Sequence, residues 1–394
     1  MHPLRILFIS RWYPNKEDPM PGLFVQRHAQ AVGRQAEVCV LYVHPISPAG
    51  RTITPGIYIE QKQGITEVSV YFRSLRARFP GAEILKGLLY LCYMWKGYRL
   101  VKKEKGPFHL IHVNILTRAA LLPFMLSIFR GIPYIITEHW SRYLPTVNTY
   151  KGWLRKAGTR IIARKASALT TVTHNLKTAM QRHGIVNPVF EVIPNVVDTD
   201  FFTPPAENPS EKIMVHVSCF EDRSKNISGL LQAVARLKEK RKDFSLLLVG
   251  EGQDLDDLKQ LSRMLNIMDV VTFTGLAEGE ILAEYYRKSC CLVMFSNYEN
   301  MPVVINESLS CGKPVIATAV GGIPEIMNEP PAKGIMVAPG DVEGLAAAMD
   351  KMLDNYKEYD SAALRRYAIE KFSPQAVGSA FIHLYKRCLN LEKE

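Results

Sequence analysis

Glu299 and Glu307, separated by seven residues in SNYENMPVVINESLSCGKPVIATAVGGIPE (296–325), are spaced to act on one ligand. CCLVMF (290–295) is an apolar run of strand length that ends in the polar turn SNYEN and then meets Pro302. A strand therefore delivers a loop to a helix start. The pattern predicts Asn300 as the helix cap and Pro302 in the first turn, leaving the N–H groups of Met301, Val303 and Val304 without intrahelical partners. A diphosphate is a natural guest for such a terminus. Glu299 falls at the mouth of the loop, and Glu307 about a turn and a half into the helix, where side chains lean back toward the N-terminus. Downstream, Pro314 to Ala317 reads as another buried strand, and Gly321, Gly322 and Pro324 as a tight loop before a new helix. The pocket is thus framed by two strand ends.

This string resembles, nearly residue by residue, the glutamate-x7-glutamate segment of the retaining glycosyltransferases of family 4. The resemblance extends through most of the C-terminal half, with LLLVGEGQDLDDLKQL from Leu246, VVTFTGL from Val270 and PVIATAVGGIPE in the same order. It implies the α/β GT-B fold, two Rossmann-like domains facing each other across a cleft. By the same resemblance Glu299 lies near the donor sugar and Glu307 binds the ribose hydroxyls. Met301, Pro302 and Val303 supply main chain to the diphosphate, while Gly275 and Leu276 of the TFTGL loop lie against the nucleobase. Lys225 fits the family lysine, following the strand Ile213 to Val217 and opening a helix, so that ammonium and helix amides face one anion. Its role would be to neutralise charge on the departing nucleoside diphosphate. Many relatives carry a glycine-arginine-leucine sequence nearby, where this chain has Ser218, Cys219 and Phe220. Arg223 is either the substitute cation or a solvated loop residue.

The N-terminal half resembles the family more weakly, as an acceptor-side domain. RILFIS from Arg5 is a buried-strand pattern, followed by the polar loop RWYPNKEDPMPG and a helix-like stretch from Leu23 to Gly33. Gly22 would let backbone approach a phosphate closely; a plain turn glycine is the alternative. His139, after YIITE, resembles the histidine at the end of a central strand that faces the donor sugar, and Glu138 is a lesser candidate beside it. The expected catalytic set is Glu299, His139 and Lys225.

Length and composition, 394 residues with 47% apolar, suit two cored domains. The expected division is an N-terminal domain over 1–200, a proline-rich linker over 201–210, a nucleotide-sugar domain over 211–372, and a closing helix over 373–394 that crosses back to the first domain. Asp198 and Asp200 spell an aspartate-x-aspartate, but their segment resembles the one ending the family's first domain, so no metal and no other cofactor is expected. The seven cysteines form no CxxC pair and suit a reducing cytoplasm.

Charge is uneven: residues 1–200 hold 27 Lys and Arg against 11 acids, whereas the remainder holds 22 against 27. Much of the excess lies between Arg73 and Lys105, where cations alternate with large apolar residues. Such a stretch suits either a solvated helix or the surface of an anionic bilayer. No nucleic-acid motif accompanies it. The apolar run from Ala119 to Ile136 is broken by Pro123, Arg130 and Pro133, so a membrane span is not expected, and the N-terminal apolar stretch reads as a strand rather than a signal peptide. The expected protein is a cytoplasmic retaining glycosyltransferase, docking peripherally on the inner membrane face, that moves a sugar from a nucleoside diphosphate to a saccharide or lipid-linked saccharide in surface-glycan synthesis. A sugar-nucleotide 2-epimerase of the same fold and an inactive sugar-nucleotide-binding protein are the alternatives; VGEGQDLDD copies a nicotinamide fingerprint poorly.

Overall fold

The computed structural model describes residues 3–46, 53–75, 81–147, 149–207 and 209–391. Arg76 and Arg78, counted in the basic stretch, lie outside the described residues. The chain forms two compact units: residues 1–196 with 374–394, and residues 197–373.

In the first unit the strands are β1 (Arg5–Ser10), β2 (Glu37–Ile46), β3 (Gly56–Lys62), β4 (Ile65–Arg73), β5 (Leu110–Asn114), β6 (Tyr134–Glu138), β7 (Ala168–Thr171) and β8 (Phe190–Val192). The helices are α1 (Leu23–Gly33), α2 (Ala82–Lys105), α3 (Leu121–Arg130), α4 (Trp153–Lys165) and α5 (His174–Arg182). The eight strands stand in the order β3-β4-β2-β1-β5-β6-β7-β8, parallel except where β3 and β4 form an antiparallel hairpin. Near-continuous apolar runs such as LIHVN and YIITE are buried along their whole length, as parallel strands covered on both faces must be. α2, α3, α4 and α5 cover one face of the sheet, and α1 with the C-terminal helix covers the other.

The second unit is a six-stranded parallel sheet of β9 (Ile213–Val217), β10 (Ser245–Val249), β11 (Val271–Gly275), β12 (Cys291–Met294), β13 (Val315–Thr318) and β14 (Gly334–Val337). Its order is β11-β10-β9-β12-β13-β14. Its helices are α6 (Asp222–Lys225), α7 (Ile227–Lys240), α8 (Leu255–Met264), α9 (Gly279–Lys288), α10 (Val303–Ser310), α11 (Ile323–Met327), α12 (Val342–Asn355) and α13 (Ser361–Phe372). Residues from the 201–210 segment belong to this unit: Phe202 is buried, and its carbonyl accepts from Ser310 Oγ at 2.6 Å and the Arg365 guanidinium at 3.1 Å. The chain returns to the first unit as α14 (Pro374–Cys388). There a Cβ on Gly378 would stand 2.5 Å from the Ala31 carbonyl oxygen of α1, so the two helices meet backbone to backbone.

Each parallel sheet reverses its winding once. In the second unit this happens between β9 and β12, in the first between β1 and β5. Loops leaving neighbouring strands there turn to opposite faces and open a crevice beyond the carboxyl ends.

Candidate active site

Lys225 and Glu299 meet at the switch point of the second unit. Lys225 Nζ donates to Glu299 Oε1 at 2.6 Å, and Ser296 Oγ donates to the same oxygen at 2.9 Å. Further bonds hold the two loops in register: Asn297 N–H reaches the Ser224 carbonyl at 2.9 Å and its amide side chain reaches that of Arg223 at 3.1 Å. Burial by itself lowers the Lys225 pKa, but the charge and hydrogen bond of Glu299 outweigh it, and the value stands above that of an ordinary lysine. The ammonium is therefore a fixed cation on which phosphate oxygens could settle.

Lys225 ends the one-turn helix α6 rather than opening a helix. Asn226, at φ +49°, turns the chain into α7. The cap of α10 also differs from expectation. Pro302, extended at ψ 115°, occupies the N-cap position instead of Asn300 and makes no side-chain cap hydrogen bond. Proline supplies no capping oxygen, so the Val303 and Val304 end of the helix is left to bind an anion. Met301 and Pro302 are buried, and Val303 is partly exposed. Four residues after Val303, Glu307 is buried inside α10 and accepts from Tyr286 Oη at 3.1 Å. Tyr286, on α9, belongs to no motif legible in the sequence; only the fold brings it to the carboxylate.

The next loop presses on this one from β13. Gly321 has φ +57°, and a Cβ there would lie 1.8 Å from the Glu299 carbonyl oxygen. Gly322 N–H donates to the Asn300 carbonyl at 3.0 Å. The glycine pair thus clamps the Glu299 backbone. On the other side, Gly275 ends β11 and half-exposed Leu276 follows it, and Gly250 N–H ties the β10 loop to the Gly275 carbonyl at 2.9 Å. Arg223 is exposed, and its tie to Asn297 uses its backbone, not its guanidinium.

In the first unit, His139 follows β6 directly. Its ring packs 4.5 Å from Phe24 and 5.4 Å from His28, with Nε2 3.3 Å from Asn114 Oδ1 at the end of β5. Burial, together with His28 and His112, holds its pKa well below the ordinary value, against a hydrogen bond with Asn195. The imidazole is neutral near pH 7 and can exchange a hydrogen bond with a hydroxyl. Glu138 instead shapes the backbone: it accepts the N–H groups of Leu116, His139 and Trp140 at 3.0, 2.9 and 2.9 Å, fixing the loop that carries His139. Ile115, buried beside it, takes φ +70°, a conformation that costs a β-branched residue roughly 1–3 kcal/mol. Gly22 starts α1 at φ +77°, where a Cβ would lie 2.3 Å from the Trp12 carbonyl oxygen. The close approach that requires glycine is made by its own loop. Asp198 Oδ1 accepts from the N–H groups of Asp200 and Phe201, both at 3.2 Å. Among the described residues no group of three or more His, Cys, Asp or Glu is arranged to hold a metal ion.

Comparison with known proteins places these features in a family. Residues 32–201 match the model of Glycosyltransferase Family 4, and residues 198–371 match that of Glycosyl transferases group 1. The MMP alpha-(1->4)-mannosyltransferase of Mycolicibacterium hassiacum is 27% identical over 312 residues, 74% of this chain and 73% of the relative. Among solved structures, sucrose-phosphate synthase from Thermosynechococcus elongatus superposes with a TM-score of 0.77 at 21% identity, over 99% of this chain and 100% of that one. Anabaena HepE in complex with UDP-glucose gives a TM-score of 0.72 at 18% identity, over 98% and 100%.

Proposed function

Given that the chain belongs to glycosyltransferase family 4 and has the GT-B fold, we propose that it transfers a sugar, with retention, from a nucleoside diphosphate to a hydroxyl of a saccharide or lipid-linked saccharide. The observation that carries the reading is the Lys225–Glu299 pair at the switch point, beside the open amide terminus of α10. In this scheme the diphosphate lies on the amides of Val303 and Val304 and on the Lys225 ammonium, which offset the charge that grows on the leaving group. Glu307, oriented by Tyr286, takes the ribose hydroxyls. Glu299 positions the sugar. Its Oε1 is already engaged by a cation and a hydroxyl, which suits hydrogen bonding better than covalent attack, so positioning and electrostatics carry the rate. His139, neutral, serves a sugar hydroxyl.

HepE with UDP-glucose supports a nucleotide-sugar donor. We propose that the reaction is metal-independent, because Lys225 and helix amides supply the positive field that a divalent ion would otherwise provide. Seven unpaired cysteines support action in a reducing cytoplasm.

The test begins with thermal shifts against UDP-, GDP-, ADP- and CMP-sugars, where a ligand at a hundred times its dissociation constant adds about 2.7 kcal/mol. The stabilising donor is then incubated with and without glycan acceptors. Acceptor-dependent transfer supports the reading. A C2-epimerised sugar formed without acceptor would assign the chain to the epimerases, and binding without turnover would leave an inactive sugar-nucleotide receptor.

A further inference from the structure

We infer that the outer faces of α2, α3 and α4 form a docking surface for an anionic lipid bilayer. The inference is independent of the chemistry at Lys225 and Glu299.

α2 buries Tyr90, Met94, Tyr98 and Val101 against the sheet. A flank about 100° round the helix from that face is apolar as well, with Ile84 71%, Leu88 55% and Trp95 36% exposed. At 100° per residue these three fall within a narrow stripe, and Arg99 and Lys103 extend it toward the C-terminus. A helix on a water-facing surface has no use for such a second apolar stripe. α3 packs against both α2 and α4. It ends in Ile128 and Phe129, exposed by 56% and 80%, while α4 begins with Trp153 and Leu154 at 76% and 67%. Arg130 stacks on Trp95 at 5.6 Å, joining the α3 end to the α2 stripe.

Charge identifies the occupant. From Ile84 to Lys103 there are five Lys and Arg and no acid, and from Arg118 to Lys165 there are nine against Glu138 alone, which is buried. The acids flanking the first span, Glu83 and Glu104, sit at the ends of α2. A protein partner would be expected to meet these cations with a matching pattern of acids and hydrogen bonds. Exposed Trp, Phe and Leu among Lys and Arg of one sign instead match an interface in which rings enter the headgroup layer and cations meet lipid phosphates. No helix among the described residues is long and apolar enough to cross a membrane, so the contact is peripheral.

The test is cosedimentation of the full chain with vesicles of phosphatidylcholine alone or mixed with phosphatidylglycerol. Binding to the mixed vesicles is expected at about 0.1 M salt, with a steep fall toward 1 M as the Debye length shrinks from about 10 Å to about 3 Å. Each surface cation is worth about fivefold in partitioning, so Arg99→Glu with Lys103→Glu, both exposed, should lower it at least twenty-five-fold. Phe129→Ser with Trp153→Ser, at positions too exposed to matter for folding, should lower it roughly a hundredfold. Met264→Ser, an exposed apolar site on α8 of the other unit, should change nothing. Equal binding to both vesicle types, no binding at 0.1 M salt, or a self-association that Phe129→Ser abolishes without any lipid binding would each overturn the inference, the last by assigning the surface to a second copy.

Discussion

Replacing Lys225 by alanine should damage stability and turnover for separable reasons. In the native chain Nζ lies 2.6 Å from Glu299 Oε1, with the two side chains 18% and 9% exposed. Without the ammonium, Glu299 retains the Ser296 hydroxyl as a side-chain donor. Losing one member of a buried pair costs about 3–5 kcal/mol, and the opening toward solvent at this crevice argues for about 2–3. For a unit the size of residues 197–373 that is roughly 4–12 °C in Tm. The rate should fall by on the order of 100- to 1,000-fold, the usual loss for one pre-organised stabiliser of developing charge. Glu299→Gln added to Lys225→Ala removes the stranded carboxylate, so urea unfolding should recover at least about 1 kcal/mol relative to the single variant. Single-turnover assays with saturating donor should show no recovery of rate. If rate and stability recover together, Lys225 acts on folding alone; if Lys225→Ala retains near wild-type turnover, another group neutralises the diphosphate.

Glu307→Ala should weaken nucleoside diphosphate binding by calorimetry, whereas Glu299→Ala should reduce turnover with binding largely kept; equal affinity losses in both would contradict their separate roles. Gly321→Ala forces an unfavourable φ, about 1–2 kcal/mol, and drives a methyl into the Glu299 carbonyl, so kcat should drop more than tenfold while far-UV dichroism is unchanged; wild-type kcat would refute the clamp. Burial first of all holds His28 at about 4 and keeps His112 and His139 well below 6.5, so the unfolded chain takes up protons that the native state refuses. Their stabilisation is complete above about pH 6.5 and declines toward pH 4, at up to about 1.4 kcal/mol per pH unit for each histidine, with Glu138 opposing by one proton because burial raises its pKa. Urea midpoints should fall between pH 7.5 and 5, and a constant midpoint would contradict this. Transfer should persist in EDTA; loss restored by manganese would show a metal role.

The ends of several elements are legible in the sequence because local patterns fix them. RILFIS is β1 and Leu23 to Gly33 is α1, since a buried run bounded by a polar loop and a periodic stretch begun by Gly22 leave few options. The meeting of Lys225 with Glu299 follows from two strand-loop-helix units of one sheet, although which strands are neighbours depends on long-range pairing that no local window contains. Local reading fails where two segments have to be known together. Pro302 rather than Asn300 starts α10, because the loop is set from outside it by Gly321 and by Ser224, whose carbonyl holds the Asn297 N–H. Tyr286 and the tying of Glu138 to the His139 loop are invisible in the sequence for the same reason. Gly22 reads as a phosphate contact, yet its own loop already demands a glycine. The exposed ends of α3 and α4 carry no sequence signal because apolar residues in a string do not show which face they take.

NMR of the product formed from an α-linked nucleoside diphosphate sugar and a glycan acceptor tests the central claim most directly. The expected result is an acceptor-dependent product whose new linkage has the small H1–H2 coupling of an α-gluco or α-galacto bond, lost in Lys225→Ala. A β-linkage would contradict retention, and a modified sugar nucleotide appearing without acceptor would contradict glycosyl transfer at this site.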